Sequence, residues 1–324
     1  MTPVLSVHGL SVRFPTARGV VDAVEDLSFE IGAGQTVALI GESGSGKSTV
    51  ALSIPGLVPD PGYISAGRIE LCGRDLVGLS RREMRELRGK EIAMIFQDPL
   101  VALNPLLSIG RQVTEVLRLH SGLSHRDGLP QAIEALRLVG MPAPHERISA
   151  YPHNLSGGMR QRAMIAMALI CQPRLLVADE PTTALDVTVQ AQVLLLINRL
   201  RAQLGMSVLL ITHDFGVVAE TAQRVVVMYA GRKVEEGAVE DIFDHPRHPY
   251  TQGLLRTSRW EMTETGYLPE ITGTVLSPIE RPPGCCFAAR CPYAMARCHE
   301  ERPAVRTIGF GHEAACFLLE EGVS

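Results

Sequence analysis

The stretch Gly41-Glu42-Ser43-Gly44-Ser45-Gly46-Lys47-Ser48-Thr49 fits the phosphate-binding pattern G-x-x-x-x-G-K-[S/T] at every fixed position. It follows the apolar run 36–40 and precedes a helix-compatible segment, which is the context that the pattern requires. Glycines are needed because several backbone N–H groups must curl around phosphate oxygens without interference from Cβ atoms. These flanks argue against a chance Gly- and Ser-rich turn, so we interpret residues 41–49 as a phosphate loop that binds a nucleotide.

Individual residues in and near the phosphate loop have separate tasks in this interpretation. Lys47 would reach the β- and γ-phosphates, and the Ser48 hydroxyl would ligate Mg²⁺ beside the positive end of the following helix. Phe14 lies in a segment with the alternating pattern of antiparallel strands. Its ring is a candidate to stack on the base, an interaction worth about 1–3 kcal/mol in nucleic-acid complexes. A role in the core fits Phe14 equally well.

Length and charge limit the class of protein. The 324 residues favour one large domain plus a smaller one. With 31 basic and 35 acidic residues, the net charge of −4 argues against a general nucleic-acid-binding surface. No run approaches about 18 apolar residues, and the first residues show no signal region. The sequence therefore predicts a cytosolic protein that contacts a membrane only through a partner.

Polar residues follow three apolar runs that are typical of buried strands. Gln97 follows the run 91–96, where either a structural role or a role in holding Mg²⁺ or the attacking water is open. Asp179-Glu180 ends the run that begins at residue 175; Asp179 can hold Mg²⁺ while Glu180 polarises a water for attack on the γ-phosphate. His213 follows the run 206–212, and its imidazole can donate a hydrogen bond to the γ-phosphate.

Between residues 100 and 152 the pattern changes to helices, with apolar residues three and four apart in 109–119 and 129–139. We expect a helical subdomain there. In the following segment, Leu155 to Met159, Ser156 is a good N-cap and two glycines occupy the first helical turn. Because glycine costs helix stability unless something must come close, Gly157 and Gly158 favour the approach of an anion over a plain capped helix.

Over residues 5–240 the chain resembles the ATP-binding subunit of an ABC transporter. The resemblance rests, in order, on the phosphate loop, Gln97, the Leu-Ser-Gly-Gly-Met signature, Asp179-Glu180, Ala184-Leu185-Asp186 and His213. It implies an α/β fold: a P-loop NTPase core of the ABC ATPase type, with an antiparallel β subdomain and a helical subdomain at about residues 100–160. The ATPase domain would cover residues 1–243.

The remaining chain resembles the C-terminal part of the dipeptide and oligopeptide permease ATPases, which include nickel-uptake relatives. The segments that carry this resemblance are His248-Pro249-Tyr250-Thr251, Pro283-Gly284-Cys285, Arg290-Cys291-Pro292 and residues 311–316. They indicate the D-type ATPase subunit of these importers. Residues 244–324 would then form a small, cysteine-rich C-terminal extension.

The resemblance implies a mechanism in which two chains hold ATP between the phosphate loop of one and the signature of the other. It assigns the binding of ATP and Mg²⁺ in this chain to Lys47, Ser48, Gln97 and Asp179. Glu180 would be the catalytic base, and His213 would support the γ-phosphate. Ser156, Gly157 and Gly158 would serve the ATP of the partner.

The same resemblance implies the partners and the location. They are a second ABC ATPase subunit in a heterodimer, two transmembrane permease subunits and an extracytoplasmic substrate-binding protein, with no nucleic acid. The chain would lie peripherally at the cytoplasmic face of the membrane and power the uptake of peptides; nickel or another small solute is the alternative. A non-transport ABC ATPase of DNA repair or translation is a further alternative, although the coiled coils, zinc fingers or tandem ATPase domains of that class are not visible in this sequence.

Five of the seven cysteines crowd near the end of the chain. Intervals of 5, 6 and 17 residues separate Cys285, Cys291, Cys298 and Cys316, and Cys286 is the odd one out. Four thiolates can hold Zn²⁺ or an iron–sulfur cluster. Zinc sites usually show tight C-x₂₋₄-C pairs, which are absent here, and some members of the resembling family carry a [4Fe–4S] cluster in this tail. We therefore expect the cluster, with zinc or metal-free thiols as the alternatives.

Overall fold

The computed structural model describes residues 2–182, 186–258, 270–274, 276 and 281–320. Part of the predicted Ala184-Leu185-Asp186 element therefore lies outside the described residues. The chain divides into two compact units. The first unit comprises Met1–Val4, Ile31–Gln35 and Gly78–Ile211, and the second comprises Leu5–Glu30, Thr36–Val77 and Thr212–Ser324.

The described strands are β1 (Leu5–Thr16), β2 (Gly19–Ile31), β3 (Thr36–Ile40), β4 (Tyr63–Leu71), β5 (Arg74–Asp75), β6 (Ile92–Ile95), β7 (Leu175–Asp179), β8 (Ser207–Ile211), β9 (Arg224–Tyr229), β10 (Arg232–Ala238), β11 (Arg306–Gly309) and β12 (His312–Ala314). The described α-helices are α1 (Lys47–Ser53), α2 (Arg81–Leu87), α3 (Pro99–Ala102), α4 (Ile109–Ser121), α5 (His125–Leu138), α6 (Pro144–Arg147), α7 (Gly157–Leu169), α8 (Val187–Leu204), α9 (Phe215–Thr221), α10 (Val239–Asp244), α11 (Pro249–Ser258) and α12 (Ala296–Glu300). Short 3₁₀ turns cover Pro152–Asn154, Ala288–Arg290 and Phe317–Leu319. Among the helices described, none is both long enough and apolar enough to cross a membrane.

The first unit contains three parallel strands in the order β8-β7-β6. Leu175 of β7 lies opposite Ile92 on one side and opposite Ser207 on the other. All residues of β7 and β8 are buried, which explains why these strands are nearly continuous apolar runs. The buried strands predicted before Gln97 and at Asp179 are therefore confirmed. Because the three strands are parallel, their carboxyl ends lie at one edge of the sheet.

Helices α3 to α6 separate β6 from α7 in the first unit. Side-chain caps start the two longest of them: Ser108 accepts a hydrogen bond from the Arg111 N–H at 3.4 Å, and Ser124 accepts one from the Asp127 N–H at 3.2 Å. The helices predicted from the apolar spacing in 109–119 and 129–139 are thus confirmed as α4 and α5.

The second unit contains two sets of strands. One is a four-stranded sheet in the order β2-β1-β4-β5, in which β1 pairs antiparallel with β4, with Leu5 opposite Leu71. This agrees with the alternating pattern that predicted antiparallel strands near Phe14. The other set runs in the order β11-β12-β10-β9-β3, in which only β3 and β9 are parallel. The phosphate loop connects β3, which is buried throughout, to α1.

An aromatic cluster joins the C-terminal residues to this second set of strands. The ring of Tyr229 at the end of β9 lies 4.7 Å from that of Tyr250 and 5.2 Å from that of Phe287, measured between centroids. All three rings are nearly inaccessible to solvent. Residues that follow position 243 therefore share a hydrophobic core with β9.

A buried carboxylate fixes the same region. Glu235 of β10 is 0% exposed and accepts hydrogen bonds from the backbone N–H groups of Arg247 at 2.7 Å and His248 at 2.9 Å. Its third partner is the ring Nε2 of His312 in β12, at 2.8 Å. Glu235 thus connects the start of α11 and strand β12 to β10.

We expect Glu235→Ala to destabilise the fold by about 3 kcal/mol, because it leaves a buried N–H group, a partly buried N–H group and an imidazole without their acceptor. Urea unfolding of the full chain measures the change. Glu313→Ala is the control: its carboxylate is 36% exposed and pairs with Lys233, so a loss below about 1 kcal/mol is expected. Equal losses for both variants would contradict the role of Glu235.

Candidate nucleotide site

At two positions of the phosphate loop, any side chain would collide with the backbone of a neighbouring strand. Gly41 has φ +151° and a Cβ there would lie 2.2 Å from the carbonyl oxygen of Met228. Gly46 has φ +97° and its Cβ would lie 2.5 Å from the carbonyl oxygen of Ala23. The chain can therefore turn tightly between β3 and α1 only if these positions lack a side chain.

Lys47 lies inside the curve of this turn. Its side chain is nearly buried, and Nζ donates hydrogen bonds to the carbonyl oxygens of Gly41 at 2.7 Å and Glu42 at 2.9 Å. Helix α1 starts after Gly46 without a side-chain cap and without an acidic residue in its first turn. An ammonium group and the positive end of a helix thus meet at the loop, which is suited to a polyphosphate.

Glu42, the second residue of the loop, is held by two residues that sequence reasoning missed. Arg290 forms a bidentate ion pair with its carboxylate at 2.6 and 3.0 Å, and the Glu42 N–H donates to Tyr250 Oη at 2.8 Å. The hydrogen bonds to Glu42 raise the pKa of Arg290, and burial raises the pKa of Tyr250. The only signal in the sequence was that both residues lie in segments shared with the resembling family.

The other two candidates in the second unit are Phe14 and His213. Phe14 is half-buried, and its ring packs on Gly62, where a Cβ would lie 2.3 Å from a ring atom. His213 is exposed in the turn before α9, and the next residue, Asp214, caps that helix by accepting from the Gly216 N–H at 2.9 Å. Base stacking by Phe14 and phosphate contact by His213 stay predictions.

In the first unit, the structure brings together the three residues predicted at strand ends. Gln97 follows β6, Asp179 ends β7, and β6 and β7 are hydrogen-bonded neighbours. Gln97 Nε2 donates to Glu180 Oε2 at 3.0 Å. Glu180 has φ +45°, an unusual conformation for a residue with a side chain, and its N–H donates to the carbonyl oxygen of Ile211 at 3.0 Å. Such local strain is typical of functional positions.

The signature segment begins α7. Ser156 accepts from the Met159 N–H at 3.4 Å, as its predicted N-cap role requires, and both Ser156 and Gly157 are exposed. A Cβ on Gly158 would lie 2.9 Å from a side-chain atom of Val189. A side chain at position 158 would therefore force Val189 of α8 or the helix itself to shift.

Gln161, one turn into α7, is a further residue that sequence reasoning missed. It is buried, and Nε2 donates to the carbonyl oxygen of Pro181 at 2.6 Å. Pro181 directly follows Glu180, so the signature helix is linked to the segment that carries the predicted base. No signal in the sequence pointed to this contact, because Gln161 stands between Arg160 and Arg162 in a polar turn of the helix.

The four predicted cysteine ligands come from separate segments. Cys285 precedes the 3₁₀ turn Ala288–Arg290, Cys291 follows it, Cys298 lies in α12 and Cys316 follows β12. The Cys285 N–H donates to the carbonyl oxygen of Cys298 at 2.8 Å. No group of three or more His, Cys, Asp or Glu side chains within the described residues is arranged to hold a metal ion. The described residues therefore do not support the [4Fe–4S] cluster that we expected at the four cysteines, or its zinc alternative.

The four cysteines lie on separate segments, and spacing along the chain does not set the distances between their thiols. Their buried surroundings also favour the neutral thiol. Burial, together with a smaller contribution from charge on neighbouring cysteines, raises the pKa of Cys285 and of Cys316 to about 11. Burial also raises the pKa of Cys291. At neutral pH these groups are therefore protonated thiols in the protein alone, whereas metal ligands must be thiolates.

Comparison with known proteins agrees with the sequence motifs. The chain matches the ABC transporter family over residues 24–183 and the C-terminal region of oligopeptide/dipeptide transporters over residues 234–298. A putative peptide import ATP-binding protein of Brucella melitensis is 49% identical over 98% of this chain and 98% of its own length. The oligopeptide transport ATP-binding protein AppD of Bacillus subtilis is 48% identical over 99% of this chain and 98% of its own length.

Solved structures show the same architecture. A dimeric ATP-binding cassette in a post-hydrolysis state, bound to ADP and Pi, has a TM-score of 0.65 at 26% identity and covers 72% of this chain and 98% of its own. The cbiO1 protein of Clostridium perfringens, part of an ABC transporter complex, has a TM-score of 0.63 at 26% identity. The match covers 76% of this chain and 92% of the cbiO1 chain. The α/β fold with an antiparallel sheet and helical parts is therefore that of the ABC ATPases.

We expect Gly46→Ala to weaken nucleotide binding by at least about tenfold, because the new Cβ would collide with the backbone at Ala23 and force the loop to move. Equilibrium dialysis with labelled ATP measures the loss. Gly73→Ala is the matched control in the same unit, because Gly73 also has positive φ, +80°, but no atom lies within 4 Å of the place that its Cβ would take. A variant at position 46 that binds ATP as well as the control does would contradict the steric argument.

Proposed function

The chain belongs to the ABC transporter family of ATP-binding proteins, and from that membership we propose that it is the ATP-hydrolysing motor of a peptide importer. Members of the family hydrolyse ATP, and this chain carries the ABC ATPase fold. The proposal of peptides as substrate is supported by relatives named for peptide import, which align with 98% or more of this chain. Nickel or another small solute would use the same motor, because the permease and the binding protein select the substrate.

The observation that carries the catalytic proposal is the hydrogen bond from Gln97 to Glu180 at 3.0 Å. It holds the carboxylate of Glu180 at the end of β7, where a general base for water must be kept oriented. We propose Glu180 as the base that activates water for attack on the γ-phosphate, with His213 supporting that phosphate. The positive φ of Glu180 points its side chain away from the path of a regular strand.

The remaining residues are proposed to bind ATP and Mg²⁺. Lys47 and the loop N–H groups would contact the phosphates, and Phe14 would stack on the base. Mg²⁺ prefers oxygen ligands, which the proposed residues Ser48, Gln97 and Asp179 can supply. Bound Mg²⁺ would neutralise phosphate charge during hydrolysis.

A second chain is part of the proposal. Ser156 and Gly157 are exposed at the start of α7, which suits a role toward ATP held by another subunit. We propose a heterodimer with a second ABC ATPase, bound to two transmembrane permease subunits at the cytoplasmic face of the membrane and supplied by an extracytoplasmic binding protein. In such an arrangement the chain binds ATP alone but hydrolyses it efficiently only when paired.

Residues 244–324 are proposed as a peptide-permease-type C-terminal domain, and its four cysteines as ligands of a [4Fe–4S] cluster. Mutual proximity supports the cluster: Cys298 influences the pKa of Cys285, Cys291 and Cys316. A cluster of four irons is larger than one zinc ion, so its thiolates stand farther apart than those around zinc. Positive charge from bound iron would convert these thiols to thiolates.

Glu180→Gln should bind ATP normally and lose turnover by at least about 10²-fold, because glutamine keeps the shape but cannot accept a proton. Steady-state phosphate release by the assembled transporter measures the loss. Glu134→Gln, an exposed change in α5, is the control and should retain activity. Normal hydrolysis by the Glu180 variant would remove Glu180 as the base.

Iron and acid-labile sulfide in anaerobically purified protein test the cluster. We expect about four of each per chain, and their loss in a Cys291→Ser variant. Cys286→Ser changes the adjacent odd cysteine and should keep the iron. One zinc per chain without iron or sulfide would overturn the cluster, as would absence of all three.

A further inference from the structure

We propose that Arg290 is a positioning residue for the phosphate loop: it neutralises and fixes Glu42, so that an acidic residue can stand inside a loop that binds a polyanion. This makes the affinity for ATP dependent on the C-terminal part of the chain. The inference rests on the proposed function, because it takes ATP as the ligand of the loop.

Every N–H donor of the Arg290 guanidinium is hydrogen-bonded. A guanidinium has five N–H donors, and each has an acceptor here. The acceptors are the two carboxylate oxygens of Glu42 at 2.6 and 3.0 Å, Tyr229 Oη at 3.4 Å, and the carbonyl oxygens of Ile271 and Thr272, both at 3.0 Å. The side chain is only 5% exposed. The bidentate geometry is one that arginine can make and lysine cannot.

Glu42 is held at all of its polar groups. Its N–H donates to Tyr250 Oη at 2.8 Å, its carbonyl oxygen accepts from Lys47 Nζ at 2.9 Å, and its carboxylate is paired with Arg290. Two of these three partners come from beyond residue 243. The first half of the phosphate loop is therefore fixed from outside the strand and helix that flank it.

Charge gives this contact a consequence for binding. The phosphate-loop pattern leaves the position of Glu42 open, so an acid there is not required by the pattern. A carboxylate beside the phosphates repels them, and it is only 25% exposed, so water screens it poorly. The guanidinium cancels this charge. Without Arg290, the anion would remain next to the site that ATP must enter.

A purely structural role for the ion pair predicts a different result. If Arg290 only anchored the C-terminal residues, removing either partner would weaken ATP binding to the same extent. If Arg290 offsets the charge of Glu42, the two removals act in opposite directions. Arg290→Ala then weakens binding, whereas Glu42→Gln, which keeps the shape and loses the charge, does not.

The test uses the purified full-length chain and equilibrium dialysis with labelled ATP and ADP. We expect Arg290→Ala to raise the Kd for ATP about tenfold or more, and the Kd for ADP by a smaller factor because ADP carries less charge. Glu42→Gln should lower the Kd for ATP, because it removes the negative charge beside the phosphates. The double variant should recover most of the affinity. Arg297→Ala removes an arginine paired with Glu301 and Glu320 and should leave the Kd unchanged.

Several results would overturn the inference: unchanged affinity in Arg290→Ala, equal losses in both single variants, or a double variant as weak as Arg290→Ala. If Arg290→Ala does not fold, as judged by its thermal transition, Arg290→Lys replaces it. This variant keeps the positive charge but cannot form the bidentate ion pair, so its affinity for ATP should fall about threefold. An unchanged affinity would contradict the role of the bidentate ion pair. The proposed function is tested separately by the activity of the assembled wild type and of Glu180→Gln. A wild type that hydrolyses ATP together with an unaffected Arg290 variant would reject only the role of Arg290.

Discussion

The phosphate loop depends on the absence of side-chain atoms at two of its positions. At Gly41 and Gly46 a single extra carbon would overlap backbone oxygens of neighbouring strands. This close approach lets the loop turn within a few residues and lets the Lys47 ammonium reach back to the carbonyl oxygens of Gly41 and Glu42. The loop is thus shaped by packing against β2 and β9 before any ligand arrives.

Gln97 and Glu180, which we propose to act in hydrolysis, depend on a different constraint, which is the direction of three strands. Because β6 and β7 are parallel neighbours, residues about 80 positions apart in sequence meet at one sheet edge. The hydrogen bond between Gln97 and Glu180 follows from that arrangement. Gln161 then ties the signature helix to the chain directly after Glu180. A movement of α7 would therefore act on the segment that carries Glu180, the proposed base.

Much of this arrangement could be predicted because it is encoded locally. The phosphate loop, the Ser156 cap and the buried run before Asp179 each need only a few adjacent residues, and all three were predicted from the sequence. The contacts of Glu42 were not, because Tyr250 and Arg290 lie 208 and 248 positions away and follow no periodicity. The same limit applies to the cysteines: intervals along the chain do not determine distances between thiols on separate segments, and no ready-made site for a single metal ion is present among the described residues.

Strand β12 and the buried Glu235 also limit how independently the C-terminal residues can change in sequence. β12 pairs with β10, and the Glu235 carboxylate accepts hydrogen bonds from backbone N–H groups just before α11. Residues near the end of the chain therefore extend the sheet that contains β10. Residues 244–324 are therefore not independent of the rest of the second unit. A chimera that takes residues 244–324 from a relative would have to keep matching residues at positions 42 and 235, so sequence change in this segment is coupled to sequence change in the phosphate loop.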